Sequence, residues 1–268
     1  FMQELTIEPF ASVPNGDDGQ PSRLNVMAHV GGRLYVGVER SGHLYRIEEG
    51  QPAALWFDLA AALPRHGRQL NANARTGHSG LRSIAFHPDF AANGRFYLSA
   101  MLDRPASPAG LHYLSGAGSP IEADSVLMEW TANPASMQVD PGSFRELFRV
   151  GIDFYDHPIK QIAFGPDRRL YIAHGDGSDP TAAAGGGRHL TNALGKILRI
   201  DPLASGADPY AIPADNPFVG RTDALAEIWS YGHRNPHHLA FLPDGRLVVA
   251  EPGHDNIDEI NLVERGGD

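Results

Sequence analysis

Apolar and polar residues alternate in a pattern that occurs four times along the chain. Each copy contains an apolar pair, a turn with Pro-Asp or glycine, and an arginine followed by alternating apolar residues. Alternation on both sides of such a turn is typical of a β-hairpin. The copies recur at intervals of 62, 74 and 77 residues, counted at the residue after the arginine. The predicted hairpins span residues 26–36, 84–98, 162–172 and 239–249.

A further apolar segment follows two of the hairpins, at residues 42–47 and 195–200. An all-β repeat of this long period predicts a β-propeller built from blades. A β-sandwich with coincidental hairpins is the alternative. We predict a single domain over residues 1–268, with loops at 102–125 and 177–192. About four blades use the whole chain, so either the propeller has four blades with large loops or the chain lacks its C-terminal blades.

The composition of the chain argues against several classes of function. The chain has 268 residues and a net charge of -10, which argues against nucleic acid as a partner, because phosphate binding needs a basic surface. It has no cysteine, which excludes disulfides, thiolate metal sites and cysteine nucleophiles. No apolar run approaches ~18 residues, so we expect no membrane span. Its 30 glycines and 21 prolines indicate many turns.

The run Gly232-His233-Arg234-Asn235-Pro236 places several polar groups at a predicted strand boundary. Arginine and asparagine offer hydrogen-bond donors of fixed geometry. We interpret Arg234 and Asn235 as side chains presented to a ligand, with a buried salt bridge of Arg234 as the structural alternative.

Two candidates flank the third hairpin. His157 precedes it, and histidine is the side chain most easily poised as a general base near neutral pH. Asp176 follows it in a glycine-rich segment, where a carboxylate can orient a histidine or bind a cation. A surface-loop histidine and a polar turn are the simpler alternatives.

A fourth candidate segment, residues 251–261, follows the last hairpin. Gly253 can bring backbone carbonyls close to a hard cation such as calcium, which prefers oxygen ligands. His254 would then contribute its carbonyl, whereas ligation by its imidazole would indicate a transition metal. We interpret His87, in a hairpin turn, as structural.

These segments, in this order, resemble the glucose/sorbosone dehydrogenase family of aldose dehydrogenases that use pyrroloquinoline quinone (PQQ). The strongest similarity lies in residues 84–90, 165–176, 195–202, 213–217 and 227–263, including Gly-His-Arg-Asn-Pro and Asp-Glu-Ile-Asn-Leu. The resemblance implies a six-bladed β-propeller of four-stranded blades, of which this chain covers about four. It also implies that PQQ lies over the central opening and is held by calcium.

The resemblance assigns roles to four of the candidate residues. His157 is similar to the base that takes the proton of the anomeric hydroxyl of the sugar, and Asp176 to the carboxylate that orients it. Arg234 is similar to the cation beside the quinone carbonyl that receives the hydride, and Asn235 to a second donor to the cofactor. The implied reaction oxidises an aldose at C1 to the lactone.

The resemblance also assigns the metal and substrate positions. Gly253 and His254 align with the two backbone carbonyls that hold calcium. His78 stands at the position of a Gln or Glu near the substrate. The segments Leu81-Arg82-Ser83 and Lys160-Gln161 also depart from the family pattern.

The implied partners are an aldose sugar and an external electron acceptor, either a cytochrome or a quinone. The implied location is periplasmic or secreted, and a homodimer stays open. Two other functions stay open as well. One is a catalytically inactive propeller that binds protein or carbohydrate, and the other is a metal-dependent propeller lactonase that would use Asp176, Asp179 and Asp258.

Overall fold

The fold is known from a computed structural model, which describes residues 8–16, 19–72, 79–105, 112–114, 123–152, 157–177, 186–203, 206–253 and 257–268. These residues form strands β1 Leu24–Val30, β2 Arg33–Val38, β3 His43–Ile47, β4 Ala54–Asp58, β5 Leu81–Phe86, β6 Arg95–Leu102, β7 Tyr113–Leu114, β8 Ala123–Ala132, β9 Val139–Ile152, β10 Ile159–Phe164, β11 Leu170–His174, β12 Lys196–Ile200, β13 Ile228–Tyr231, β14 His238–Phe241, β15 Leu247–Glu251 and β16 Glu259–Val263. The helices are short: α1 Leu59–Ala62, α2 Phe90–Asn93, and 3₁₀ turns at Leu63–His66 and Gly186–Arg188. No helix among the described residues is long and apolar enough to cross a membrane.

The strands form four sheets that follow one another along the chain as the blades of a β-propeller. Blade 1 has the order β1-β2-β3-β4, blade 2 β5-β6-β8-β9-β7, blade 3 β10-β11-β12-β13, and blade 4 β14-β15-β16. The first strands of successive blades lie against each other, β1 with β5, β5 with β10 and β10 with β14. These first strands are therefore the innermost strands around the propeller axis.

All four predicted hairpins are confirmed, as β1-β2, β5-β6, β10-β11 and β14-β15. The two additional segments are β3 and β12. The second hairpin differs from the prediction in its connection, where Phe90–Asn93 forms one helical turn that ends at Gly94 in the left-handed region. His87 is structural as predicted, because its Nδ1 accepts the N–H of Asp89 in this connection at 3.0 Å.

The prediction of a loop over residues 102–125 is wrong at three places. Leu102 ends β6, residues 113–114 form β7 parallel to β9, and Ala123 begins β8. The Pro-, Gly- and Ser-rich composition hid the two-residue strand β7, which pairs with the long strand β9. In the predicted loop over 177–192, the described part contains the 3₁₀ turn at Gly186–Arg188.

Three apolar cores lie between successive blades. The core between blades 1 and 2 contains Tyr35, Phe57, Phe96 and Trp130, all buried. Equivalent layers join blade 2 to blade 3 and blade 3 to blade 4. Blades 2 and 3 thus bury both of their faces against neighbouring blades, which explains why their inner hairpins are apolar along most of their length.

Hydrogen bonds between innermost strands fix the blades relative to each other. Asn25 Nδ2 of blade 1 donates to the carbonyl of Leu81 in blade 2. Ser83 Oγ of blade 2 accepts the N–H of Ile162 in blade 3 at 3.1 Å, and the Gln161 side chain of blade 3 accepts the N–H of Leu239 in blade 4. These bonds hold the ends of the innermost strands in a fixed arrangement around the axis.

Candidate active site

Segments that flank blades 3 and 4 form a polar site at one end of the propeller. His157 lies just before β10, and Asp176 lies just after its antiparallel partner β11. Arg234 precedes β14, and Gly253 follows its antiparallel partner β15. Because one strand of an antiparallel pair begins where the other ends, all four residues lie at the same end of their blades.

His157 and Asp176 form a pair, as predicted from the sequence. The distance between His157 Nδ1 and Asp176 Oδ1 is 2.6 Å. The His157 side chain is 4% exposed and that of Asp176 is 27% exposed, so the carboxylate reaches solvent while the imidazole is enclosed. With Nδ1–H donating to the carboxylate, Nε2 keeps its lone pair and is the nitrogen that can accept a proton.

His157 also has an unusual backbone. Its φ is 55°, in the left-handed region that non-glycine residues rarely adopt. Such strain persists only where the surrounding structure holds it, and it concentrates at functional sites. Here Pro158 follows, and its carbonyl accepts the N–H of Gly175 at 3.3 Å.

Gly175 brings the two halves of the site together. A Cβ atom at this position would lie 2.5 Å from the Cβ of His157 and 3.1 Å from the carbonyl oxygen of Arg234. The neighbouring N–H of Asp176 donates to that same carbonyl at 2.8 Å. Only glycine allows the chain to pass between His157 of blade 3 and Arg234 of blade 4.

The Glu251 carboxylate holds the Gly-His-Arg-Asn segment in place through hydrogen bonds. It accepts the backbone N–H groups of Arg234 and Asn235 at 3.0 and 3.2 Å and also binds His233 Nδ1. Burial raises the pKa of Glu251, but the hydrogen bond and charge of His233 and the two backbone N–H groups together outweigh it and lower the pKa. The carboxylate is therefore ionised and holds the loop at neutral pH.

The Arg234 guanidinium is tied to the segment that contains Gly253. Arg234 Nη1 donates to the carbonyl of Pro252 at 3.1 Å. The N–H of Gly253 donates to Asp258 Oδ1 at 3.0 Å, and a Cβ at Gly253 would lie 1.8 Å from the carbonyl oxygen of Ile257. Arg234 is half-buried, and a polar cavity of about 500 Å³ includes Arg234, Glu251 and Gly253 in its lining.

Asn235 provides an observation that bears on a cofactor. Its side chain is buried, and its Oδ1 has no hydrogen-bond partner among the described residues. A buried amide oxygen without a partner is costly, and a polar ligand that donates to it would remove the cost. The half-buried cation and the unsatisfied amide fit a polar planar cofactor such as PQQ.

The structure describes only some of the residues that we predict to bind metal or substrate. Of the two carbonyl donors, Gly253 is described, whereas His254 lies outside the described residues, as does the predicted substrate residue His78. Within the described ranges, no group of three His, Cys, Asp or Glu side chains could hold a metal ion. A backbone carbonyl at Gly253 is a hard oxygen donor of the kind that calcium prefers.

Two buried polar residues beside the site were not predicted from the sequence. His174 and Lys196 are fully buried cross-strand neighbours on β11 and β12. Burial lowers the pKa of His174 to about 4, against the hydrogen bond to the Gly175 carbonyl that raises it. Burial likewise lowers the pKa of Lys196 to about 7, although Asp268 raises it. The available signal was a polar residue at the end of a largely apolar strand, His174 at the end of β11 and Lys196 at the start of β12.

The architecture and this site define a β-propeller with a paired His–Asp and an Arg–Asn segment at one end of its axis. The family model of glucose/sorbosone dehydrogenases matches residues 20–268, and the chain belongs to this family. The resemblance stated from the sequence is thereby confirmed.

Individual relatives support the same conclusion. The chain is 32% identical to the HIPL2 protein of Arabidopsis thaliana over 93% of its own length and 41% of that protein. It is 29% identical to quinoprotein glucose dehydrogenase B of Acinetobacter calcoaceticus, over 73% of the chain and 40% of that protein. The chain thus spans about two fifths of the length of each of these relatives.

A solved structure shows the same fold. The PQQ-bound aldose sugar dehydrogenase of Streptomyces coelicolor superposes with a TM-score of 0.65 at 24% identity, over 95% of this chain and 63% of that one. At this identity the likeness establishes the propeller and not the reaction.

Proposed function

We propose that this protein oxidises an aldose sugar at C1 to the lactone, with His157, Asp176 and Arg234 as its reactive centre. The observation that carries the proposal is the His157–Asp176 pair, packed through Gly175 against the Arg234 segment. A base oriented by a carboxylate and a cation held beside it are the groups that are required to remove a proton from the anomeric hydroxyl and a hydride from C1.

His157 acts as the general base. Its Nδ1–H is held by Asp176, so Nε2 takes the proton of the anomeric hydroxyl. As the O–H bond breaks, the C1–O bond gains double-bond character and C1 loses its hydrogen with the bonding electron pair. The Asp176 carboxylate stabilises the imidazolium that results, because it lies 2.6 Å from Nδ1.

When bound, PQQ supplies the electrophilic quinone carbonyl that accepts the hydride. Arg234 would hold the negative charge that develops on that carbonyl oxygen, since guanidinium is always charged and presents planar donors. Asn235 would donate through its amide nitrogen and accept through its buried Oδ1. The backbone carbonyls of Gly253 and His254 would hold calcium.

The partners and location remain predictions. The reaction needs an external electron acceptor, a cytochrome or a quinone, to reoxidise the cofactor. Periplasmic or secreted location and a homodimer are expected from the resemblance. The two other functions stay open. Asp179, one of the carboxylates that a metal-dependent lactonase would use, lies outside the described residues, and an inactive binding propeller keeps the same fold.

Reconstitution of the full-length protein with PQQ and calcium, followed by dye reduction over a panel of aldoses, tests the proposal. We expect PQQ- and sugar-dependent reduction that is lost on treatment with a chelator. A folded protein that binds no PQQ and reduces no dye would overturn the proposal and favour the binding propeller.

A further inference from the structure

Lys196 is a fully buried amine that the proposed reaction does not use. It begins β12. Lysine is rarely buried unless it is paired, because removal of its amine from water costs free energy that its contacts must offset. Its Nζ donates to the carbonyls of Gly187 at 2.8 Å and Leu194 at 2.5 Å. Among the described residues these two backbone oxygens are its hydrogen-bond partners, and neither belongs to the reactive centre.

The number of acceptors around Lys196 matches a neutral amine. The ammonium form carries three N–H donors, whereas the neutral form carries two. Burial lowers the pKa of Lys196 to about 7, although the charge of Asp268 raises it. A neutral amine uses both of its donors on the two carbonyls, while the third donor of an ammonium has no acceptor among the described residues. Lys196 thus acts as a donor to two backbone oxygens.

The Gly187 carbonyl accepts a second hydrogen bond, from the reactive loop, which comprises residues 232–235. The N–H of Gly232 donates to this carbonyl at 2.7 Å. A Cβ atom at Gly187 would lie 3.0 Å from the carbonyl oxygen of His233, so the chain at Gly187 packs directly on the loop. Lys196 Nζ and the N–H of Gly232 therefore share one acceptor oxygen, which joins β12 to the start of the reactive loop.

The residue before Lys196 holds the middle of the same loop. The N–H of His233 donates to the carbonyl of Gly195 at 3.2 Å, and the N–H of Gly195 donates to the carbonyl of Gly175 at 2.9 Å. A Cβ at Gly195 would meet the carbonyl oxygen of His233 at 2.3 Å and the Cα of Gly187 at 2.6 Å. The start and the middle of the reactive loop thus both depend on the segment that contains Gly195 and Lys196.

The 3₁₀ turn at Gly186–Arg188 is also attached by an ion pair, between Arg188 and Asp268 at 3.2 Å. These two side chains are 73% and 40% exposed. Exposed ion pairs contribute little, because water and salt screen them, whereas a buried polar group is costly to leave without its partner. The hydrogen bond from Lys196 is therefore the stronger of these two side-chain attachments.

We propose that Lys196 is a positioning residue, which fixes the reactive loop through the Gly187 carbonyl and thereby sets where Arg234 stands relative to His157. Arg234 follows Gly232 by two residues, so a shift at Gly187 reaches the guanidinium directly. A misplacement of about 1 Å can lower a rate by roughly 100-fold. The effect on turnover rests on the proposed function, whereas the effect on the loop does not.

Hydrogen–deuterium exchange and dye reduction on the full-length protein test the proposal. Lys196→Met removes both donors and keeps most of the side-chain volume. Tyr210→Phe is the matched control, because Tyr210 lies in the connection between β12 and β13, is 4% exposed and donates to Glu227 at 2.6 Å. Mass spectrometry compares exchange in a peptide over residues 229–235 with exchange in β8, residues 125–131. Dye reduction with D-glucose and PQQ gives kcat and KM.

We expect Lys196→Met to speed exchange in the 229–235 peptide by roughly three- to tenfold more than in β8, the effect of one lost hydrogen bond. The kcat should fall by roughly tenfold or more, while the KM for D-glucose stays within about a factor of two. Tyr210→Phe should change exchange equally in both peptides and leave kcat unchanged. If Lys196→Met does not fold, Lys196→Gln takes its place, with smaller effects in the same direction because its shorter side chain keeps an amide donor.

Equal acceleration of both peptides in the Lys196 variant would make Lys196 a general contributor to stability and would overturn the proposal. Full kcat in that variant would overturn it too, as would an equal loss of kcat in Tyr210→Phe. A wild-type protein that oxidises no aldose removes the dehydrogenase function, and selective exchange in the 229–235 peptide then still supports the link from Lys196 to the reactive loop.

Discussion

The carboxylate of Glu251 accepts the backbone N–H of Arg234 at 3.0 Å, although Glu251 ends one strand of blade 4 and Arg234 precedes another. The same carboxylate binds His233, whose Nε2 lies 2.9 Å from Ser230 Oγ in blade 3. Through His233, this buried carboxylate on β15 of blade 4 connects the reactive loop to β13, the last strand of blade 3. The position of the Arg234 guanidinium depends on this connection.

Replacement of this carboxylate tests that dependence. Glu251→Gln keeps the size of the side chain but removes its charge and one strong acceptor. We expect kcat to fall by roughly 10- to 100-fold through misplacement of Arg234, with dye reduction as the measurement. Glu48→Gln, at an exposed position, should leave kcat unchanged, and an equal kcat in Glu251→Gln would show that the loop holds its shape without the carboxylate.

His157 should be required for turnover and not for cofactor binding. His157→Ala removes the base, so we expect turnover to fall by roughly 10²–10⁴-fold while the Kd for PQQ stays within a factor of about two. Asp176→Asn disturbs only the orientation of the base and should cost less. Steady-state kinetics and PQQ titration measure both, and a loss below about threefold in His157→Ala excludes it as the base.

The geometry of the Arg234 guanidinium should matter as well as its charge. Arg234→Lys keeps the positive charge but loses the planar donors, including Nη1, which binds Pro252. We expect a clear loss of kcat, of the order of tenfold or more. Arg246→Lys makes the same exchange at an exposed site and serves as the control. Full activity in Arg234→Lys would reduce Arg234 to a structural ion-pair residue.

Gly175 has no room for a side chain. In Gly175→Ala the added Cβ would meet the Cβ of His157 at 2.5 Å and the carbonyl oxygen of His157 at 2.7 Å. We expect a lower free energy of unfolding, by roughly 1–3 kcal/mol, and a loss of activity. Gly142→Ala, where the nearest atom is a flexible Asp140 oxygen at 3.2 Å, should be nearly neutral in urea unfolding. Equal stability of the two variants would contradict the close approach.

Buried His174 should make stability depend on pH. A solvent-exposed histidine has a pKa of 6.5, whereas the pKa of His174 is about 4 in the folded protein. Between these values the unfolded chain binds a proton that the folded protein does not, so the free energy of unfolding rises with pH, by roughly 3 kcal/mol over the window. Below about pH 4 both states are protonated and the dependence ends.

Replacement of the imidazole isolates this contribution. His174→Gln should remove the rise between pH 4 and 6.5 in urea unfolding, whereas exposed His189→Gln should keep it. The lowered pKa of Glu251 adds stability that is lost only as pH falls below its ordinary value of 4.5, and both variants retain this acid-side loss. An unchanged profile in His174→Gln would show that His174 titrates normally.

The sequence determined the blades, because a β-hairpin forms between residues that are close together along the chain. Alternation of period two on either side of a Pro-Asp or glycine turn specified all four inner hairpins. The candidate residues beside these hairpins, from His157 to Gly253, were recognisable because they lie where apolar strands begin or end. Short β7 escaped detection, since its two residues pair only with distant β9 and carry no pattern of their own.

Only the tertiary structure decided how these ends combine. The contacts of Gly175 with His157 and of Glu251 with Arg234 depend on how antiparallel strands and successive blades place their ends, which no local pattern encodes. The burial of Arg82, Lys160 and His174 is equally a result of packing, because a polar residue in a strand has the same local pattern whether it faces solvent or the propeller axis. Desolvation and proximity arise from the assembled blades, and they set the charges of this site.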